Sequence, residues 1–149
     1  MIEKIISGGQ TGVDRAALDA GLKLGIPIGG TCPKGRLAED GTIDKKYPLI
    51  ESHSASYYVR TEINVMNGDG TLILFYGEWS GGTKETKEYA EKHNKPYLAI
   101  NLNEPDSPKN VLAWIKAAKI KVLNVAGPRE SKHPGIHLAA FNFLMKVFK

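Results

Sequence analysis

Ile2-Glu3-Lys4-Ile5-Ile6-Ser7-Gly8-Gly9-Gln10-Thr11-Gly12-Val13-Asp14-Arg15-Ala16-Ala17 joins a β-branched run, a glycine-rich loop and the start of an amphipathic segment. Ile2 to Ile6 is strand-sized and β-branched. After Gly12, Val13, Ala17, Ala20 and Leu24 fall on one helical face, while Asp14, Asp19 and Lys23 fall elsewhere. Gly25 stops that helix, and Ile26-Pro27-Ile28 reads as a short edge strand.

The same alternation continues along the chain. Strand-sized runs recur at Thr71 to Tyr76, Tyr97 to Leu102 (just after Pro96) and Lys121 to Ala126. Helical periods are expected over Tyr57 to Met66, Thr83 to His93 and Ser107 to Ala118, the last capped by Ser107 with Pro108 at its first position. Strands alternating with helices are the sequence form of a parallel sheet. The expected fold is therefore α/β, a Rossmann-like open parallel sheet with helices on both faces, in a single domain over residues 1–149. From Gly29 to about Ser56 there is little periodicity and much Gly, Pro and charge, which reads as a long functional or disordered loop. The closing segment, Ile136 to Phe148, carries two apolar stripes. Ile136, Ala140, Leu144 and Val147 can pack on the sheet. Leu138, Phe141, Met145 and Phe148 need a second partner, either the protein's own domain or another subunit of a homo-oligomer.

The 149 residues, 42% hydrophobic and 24% charged, suit one ordinary globular domain. No apolar run reaches the roughly 18 residues of a membrane span, and the amino terminus lacks the apolar core of a secretory signal, so a cytoplasmic location is expected and a membrane is not. Cys32 stands alone, without the Cys/His partners of a zinc site. His133 and His137 are separated by Pro134 and Gly135, which spoils a helical metal pair, and no metal is expected. The net charge of +4 suits an anionic ligand. Basic blocks and aromatic-basic interleaving are missing, which argues against nucleic acid.

Three polar, glycine-bearing loops follow predicted strands: Ser7 to Gly12, Ser80-Gly81-Gly82-Thr83, and Gly127-Pro128-Arg129-Glu130-Ser131. In an open parallel sheet, loops after the strands share one edge and can meet at the switch point of the strand order. Glycine admits close backbone approach, and the unpaired N–H groups that open the next helix favour an anion. The candidate ligand-binding residues are Gly8, Gly9, Gln10, Thr11, Gly12, Asp14, Arg15, Gly81, Gly82, Thr83, Gly127, Arg129 and Ser131. Arg129 is placed to fork onto phosphate oxygens, and Lys34 and Arg36 could close over the same edge. Asp14 could complement the helix dipole, hold a ribose hydroxyl or position Arg15. Neither the dinucleotide fingerprint nor the Walker pattern is present, which disfavours NAD binding and P-loop hydrolysis.

These motifs, with Cys32-Pro33-Lys34-Gly35-Arg36, Glu39-Asp40-Gly41, Gly81-Gly82-Thr83 and Asn124-Val125-Ala126-Gly127-Pro128-Arg129-Glu130-Ser131, resemble the family known as putative molybdenum carrier proteins. That family is grouped with the circularly permuted branch of the SLOG superfamily of Rossmann-like, nucleotide-related binders. The likeness spans nearly the whole chain. It implies a Rossmann-like fold, oligomeric assembly, and binding of the molybdenum cofactor or a related phosphorylated small molecule. A more distant resemblance runs to the lysine-decarboxylase-like phosphoribohydrolases of the same superfamily. Arg60 and Asp69 keep their Arg-to-Asp spacing, and Glu88 falls where their catalytic Glu would. Ser80 replaces their Pro, while Lys84 and Glu85 stand at their later Gly-Thr. The resemblance implies Arg60, Glu85 and Glu88 as candidate catalytic residues, since an oxocarbenium-like species needs a placed carboxylate. The expected function is a carrier or binder of a phosphorylated, nucleotide-like ligand; the alternative is a nucleotide or N-glycoside hydrolase.

Overall fold

A computed structural model of the chain describes residues 1–105 and 108–149. Its core is a five-stranded sheet of β1 (Lys4–Ile6), β2 (Ile28–Gly29), β7 (Gly70–Phe75), β8 (Tyr97–Asn101) and β9 (Val122–Ala126). They lie in the order β2-β1-β9-β7-β8, every neighbouring pair parallel. The fold is α/β and Rossmann-like, as expected. β7 is buried along its whole length, which is why it reads as an unbroken apolar run. The register pairs Ile5 with Leu123 and Leu72 with Val125. These four join one apolar cluster with Val13, Ala17, Val111, Ala140 and Leu144.

Helices α1 (Val13–Leu24), α4 (Pro108–Ala117) and α5 (Ile136–Phe148) pack against one another on one face, and α2 (Tyr57–Asn67) packs with α3 (Gly81–Lys92) on the other. Gly25 ends α1 in the left-handed conformation, its N–H donating to the Gly21 carbonyl. Ser56 and Ser80 cap α2 and α3, accepting from the N–H of Tyr58 and of Thr83. The expected cap of α4, Ser107, lies outside the described residues. On α5 the first stripe is buried and Phe143 joins it. Of the second stripe, Phe141, Met145 and Phe148 pack partly buried against the same core, whereas Leu138 is 62% exposed.

The expected long loop is a correction. Residues 29–56 build β3 (Thr31–Cys32) paired parallel with β6 (Ile50–Glu51), and a hairpin of β4 (Leu37–Ala38) with β5 (Gly41–Thr42). They close over their own small core of Cys32, Ile43, Tyr47 and Leu49, packed on Leu18 of α1. Two-residue strands leave no periodicity to read. Their missing ladder bonds are replaced by one side chain. The Arg36 guanidinium donates to the carbonyls of Ile43, Asp44, Tyr47 and Leu49. Asn64 of α2 clamps the unit from the far side, accepting from the Thr31 N–H and donating to the Thr31 carbonyl at 2.8 and 2.9 Å. Tyr47 Oη donates to Asp19 on α1 at 2.5 Å, and His137 of α5 meets the other carboxylate oxygen of Asp19 at 2.8 Å.

Candidate functional site

The strand order places the site. β1, β9 and β7 are adjacent, and from this central trio the chain leaves β1 towards β2 at one edge and β7 towards β8 at the other. The switch point is therefore at β9, and strands about 4.8 Å apart put the three loop origins within about 10 Å of one another. A cavity of about 320 Å³ opens there. It is lined by Gly8, Gln10 and Asp14 from the first loop and α1, by Ser80, Gly82 and Thr83 from the second, and by Gly127, Pro128 and Arg129 from the third. Tyr57, Tyr58 and Arg60 of α2, Glu85 of α3 and Lys132 also line it. The volume lies in the range of small-molecule sites.

The first and third loops are locked together. Gly12 has φ 79°, and a Cβ there would lie 2.4 Å from the Pro128 carbonyl oxygen. Only glycine lets the two backbones touch. Thr11 Oγ1 accepts from the Glu130 N–H, and the Ser131 N–H donates to Glu39. Glu39 in turn donates its own N–H to Gln10 Oε1 at 2.9 Å. The Glu130 carboxylate caps α5 through the N–H groups of Gly135 and His137, which hold it below the usual carboxylate range. Gly127 is also tight, with Leu74 O at 2.2 Å from a Cβ position.

Asp14 and Arg60 form a buried ion pair across the cavity floor, 2.5 Å between Oδ2 and Nη1. Gly8 makes room for it, since a Cβ there would strike the Arg60 guanidinium. Arg60 also donates to the Tyr57 carbonyl and stands over the Tyr57 ring. Burial pushes the Asp14 carboxyl up, opposed by Arg60 and by the Gln10 N–H. Asp14 thus partners Arg60, not Arg15. Arg15 instead pairs with Asp40 at 2.9 Å and donates to the Gly9 carbonyl.

The α3 side is different. Ser80 satisfies the Thr83 N–H, but among the described residues the N–H groups of Gly81 and Gly82 have no acceptor. Both glycines are exposed, with nothing within 4 Å of a Cβ. The Arg129 guanidinium likewise has no acceptor among the described residues. Glu85 faces the cavity, its carboxyl raised by burial and then by Glu88.

Not every expected residue reaches the cavity. Gly9, Thr11, Gly12 and Ser131 serve as the struts of the first and third loops, and Arg15 braces the hairpin. Lys34 is exposed away from the lining, and Arg36 is bound by the insertion's own carbonyls. Glu88 is exposed on α3 and Gly81 lies just outside the lining. Asp69 sits at the amino-terminal end of β7, away from the cavity, accepting from the N–H groups of Lys121 and Val122, so its spacing from Arg60 does not bring the two together. Sequence reasoning missed Tyr57, Tyr58 and Lys132. The aromatic pair opening α2 was their one local signal.

The sequence profile of the circularly permutated YpsA SLOG family matches residues 5–148. The chain belongs to this family. A crystal structure of a putative molybdenum carrier protein from Syntrophus aciditrophicus is 45% identical, covering 99% of this chain and 96% of its own, with a TM-score of 0.95. A comparison with curated proteins gave no match. No helix among the described residues is long and apolar enough to cross a membrane.

Proposed function

We propose that the cavity binds a phosphorylated, nucleotide-like small molecule, with the molybdenum cofactor as the leading candidate, and that the protein acts as its carrier. The observation that carries this is the coincidence of two unsatisfied donor groups on one cavity. The open N–H of Gly82 begins α3 on the lining, with that of Gly81 just outside it, and the Arg129 guanidinium, without an acceptor among the described residues, stands on the third loop. Lys132 adds a second cation. The similarity to a protein named a molybdenum carrier supports the cofactor. The donor set fits the phosphate of such a cofactor and not a bare metal ion. Among the described residues no three His, Cys, Asp or Glu side chains cluster, and Cys32 is buried in the insertion's core. In this reading the α3 amino terminus and Arg129 hold the phosphate, Tyr57 and Tyr58 flank the organic part, and Asp14 with Arg60 keeps the floor neutral. The cofactor supplies its own metal chemistry, and the chain binds and shields it. A cytoplasmic homo-oligomer, joined through the exposed Leu138 side of α5, belongs to the same proposal.

Calorimetry with nucleoside 5′-monophosphates and with extracted molybdenum cofactor tests it, alongside mass spectrometry of small molecules that copurify. Arg129→Ala is expected to weaken phosphorylated ligands by about 1.5 to 3 kcal/mol. Unchanged affinity would remove Arg129 from the site. The hydrolase alternative rests on Glu85, which lines the cavity with a raised carboxyl. Fast release of base from nucleoside monophosphates, abolished in Glu85→Gln, would favour it over the carrier.

A further inference from the structure

Among the described residues, Gln10 carries a buried side-chain polar atom without a hydrogen-bond partner. The residue is only 6% exposed and belongs to the cavity lining. Its Oε1 accepts from two backbone N–H groups, Thr11 at 3.0 Å and Glu39 at 2.9 Å. These two bonds settle the orientation of the amide, because a flipped amide would aim N–H groups at N–H groups. They also occupy the acceptor. What remains is Nε2, a buried donor with no acceptor among the described residues. Native proteins leave few such groups, and one on a cavity wall points to a ligand atom.

We propose that Gln10 is the specificity-determining donor of this site, selecting ligands whose uncharged part carries an acceptor atom, a carbonyl oxygen or an unprotonated ring nitrogen. The inference rests on the reading that the cavity takes a phosphorylated ligand, and it names which part of that ligand is read on the first-loop wall. Three features assign Nε2 to the uncharged part. It can only donate, so an amino group opposite it is rejected. Asp14 lies four residues on, its buried carboxylate paired with Arg60, so a phosphate there would face a buried carboxylate. The cationic groups of Arg129 and Lys132, unpaired among the described residues, lie on the third-loop side. Glu39 makes the insertion a part of this selection, because its N–H holds the amide in place.

The test is Gln10→Met, which keeps the length and neutrality of the side chain and removes the donor, with thermal unfolding to register the loss of the two acceptor bonds. Its probes are inorganic phosphate and the four common nucleoside 5′-monophosphates. The expected result is a 10-fold to 100-fold loss of affinity for the nucleotides that wild type binds, with phosphate affinity within about twofold of wild type. In wild type, the Gln10 side-chain amide resonance should shift on adding nucleotide and stay in place on adding phosphate, a response that a merely structural glutamine would not give. Equal loss for phosphate and nucleotide in folded Gln10→Met, an unmoved amide resonance, or wild type binding phosphate but no nucleotide would each overturn the inference while leaving the anion site standing. Wild type binding neither probe would overturn the inference together with the reading it rests on.

Discussion

The two walls of the cavity are built on opposite plans. On the β1 and β9 side, the N–H groups of Glu39, Glu130 and Ser131 are bound by side chains of the first loop and the insertion, and the Arg129 guanidinium projects from this frame unpaired among the described residues. On the α3 side, the helix begins with two exposed glycines whose N–H groups have no acceptor among the described residues. The first wall resembles a protein core in its bonding. The second resembles a surface that awaits an anion. The difference teaches that glycine has two separate uses in loops which look alike as sequence. In Gly8, Gly12 and Gly127 it removes a side chain that would collide with a neighbour, and in Gly81 and Gly82 it leaves the way to the backbone clear.

The largest expected effect breaks the first wall at its ion pair. Arg60→Met leaves the Asp14 carboxylate buried without its cation and should cost about 3 to 5 kcal/mol in urea denaturation. The pH dependence has a definite sign. Burial already raises the Asp14 carboxyl, and loss of Arg60 raises it further. The folded protein then holds a proton that the unfolded chain releases near pH 4, so stability falls as pH rises from that point through the folded value. Wild-type Asp14 is raised too, so the two proteins lose stability together at first, and the deficit of Arg60→Met should be smallest in acid and widen once pH passes the wild-type folded value. A deficit flat across pH 4 to 7 would show that Asp14 is not the group left stranded. Asp14→Leu added to Arg60→Met should recover part of the loss.

Gly12→Ala comes next, at about 2 to 4 kcal/mol. A left-handed backbone conformation and a methyl against the Pro128 carbonyl each carry a cost of about 1 to 3 kcal/mol, with partial relaxation. Equilibrium unfolding measures it. A loss under about 1 kcal/mol would mean that the first and third loops separate easily, and the contrast between the walls would weaken.

Much of this was legible in the sequence because it depends on local pattern. β7 announces itself as a buried apolar run, α1 by its spacing and Gly25, and the convergence of three loops by the positions of Gly8, Gly82 and Gly127 after strands. The rest depends on partners far apart in the chain. Asp14 and Arg60 are 46 positions apart, and nothing near either names the other. Arg36 looks, from its neighbours, like a cation free for a ligand, yet its guanidinium is consumed by four carbonyls of a unit whose two-residue strands carry no period. Gln10 could be read as a loop residue, but its single free donor follows only from knowing that Glu39 reaches its carbonyl.

The smallest expected effect is the sharpest on the contrast, because it makes the same chemical change on the other wall. Gly82 sits in the first turn of α3, is exposed, and has open space around a Cβ. Gly82→Ala meets no atom and removes freedom from the unfolded chain, so it should leave stability unchanged or raise it by up to about 1 kcal/mol. Its methyl enters the cavity beside the open N–H groups, so the affinity for inorganic phosphate should still fall. Thermal unfolding and phosphate titration of this one variant separate the two quantities. Loss of stability by more than about 1 kcal/mol would show that the α3 wall is packed as tightly as the other. Preserved stability with unchanged phosphate affinity would move the anion away from the α3 amino terminus and leave Arg129 and Lys132 as its only holders.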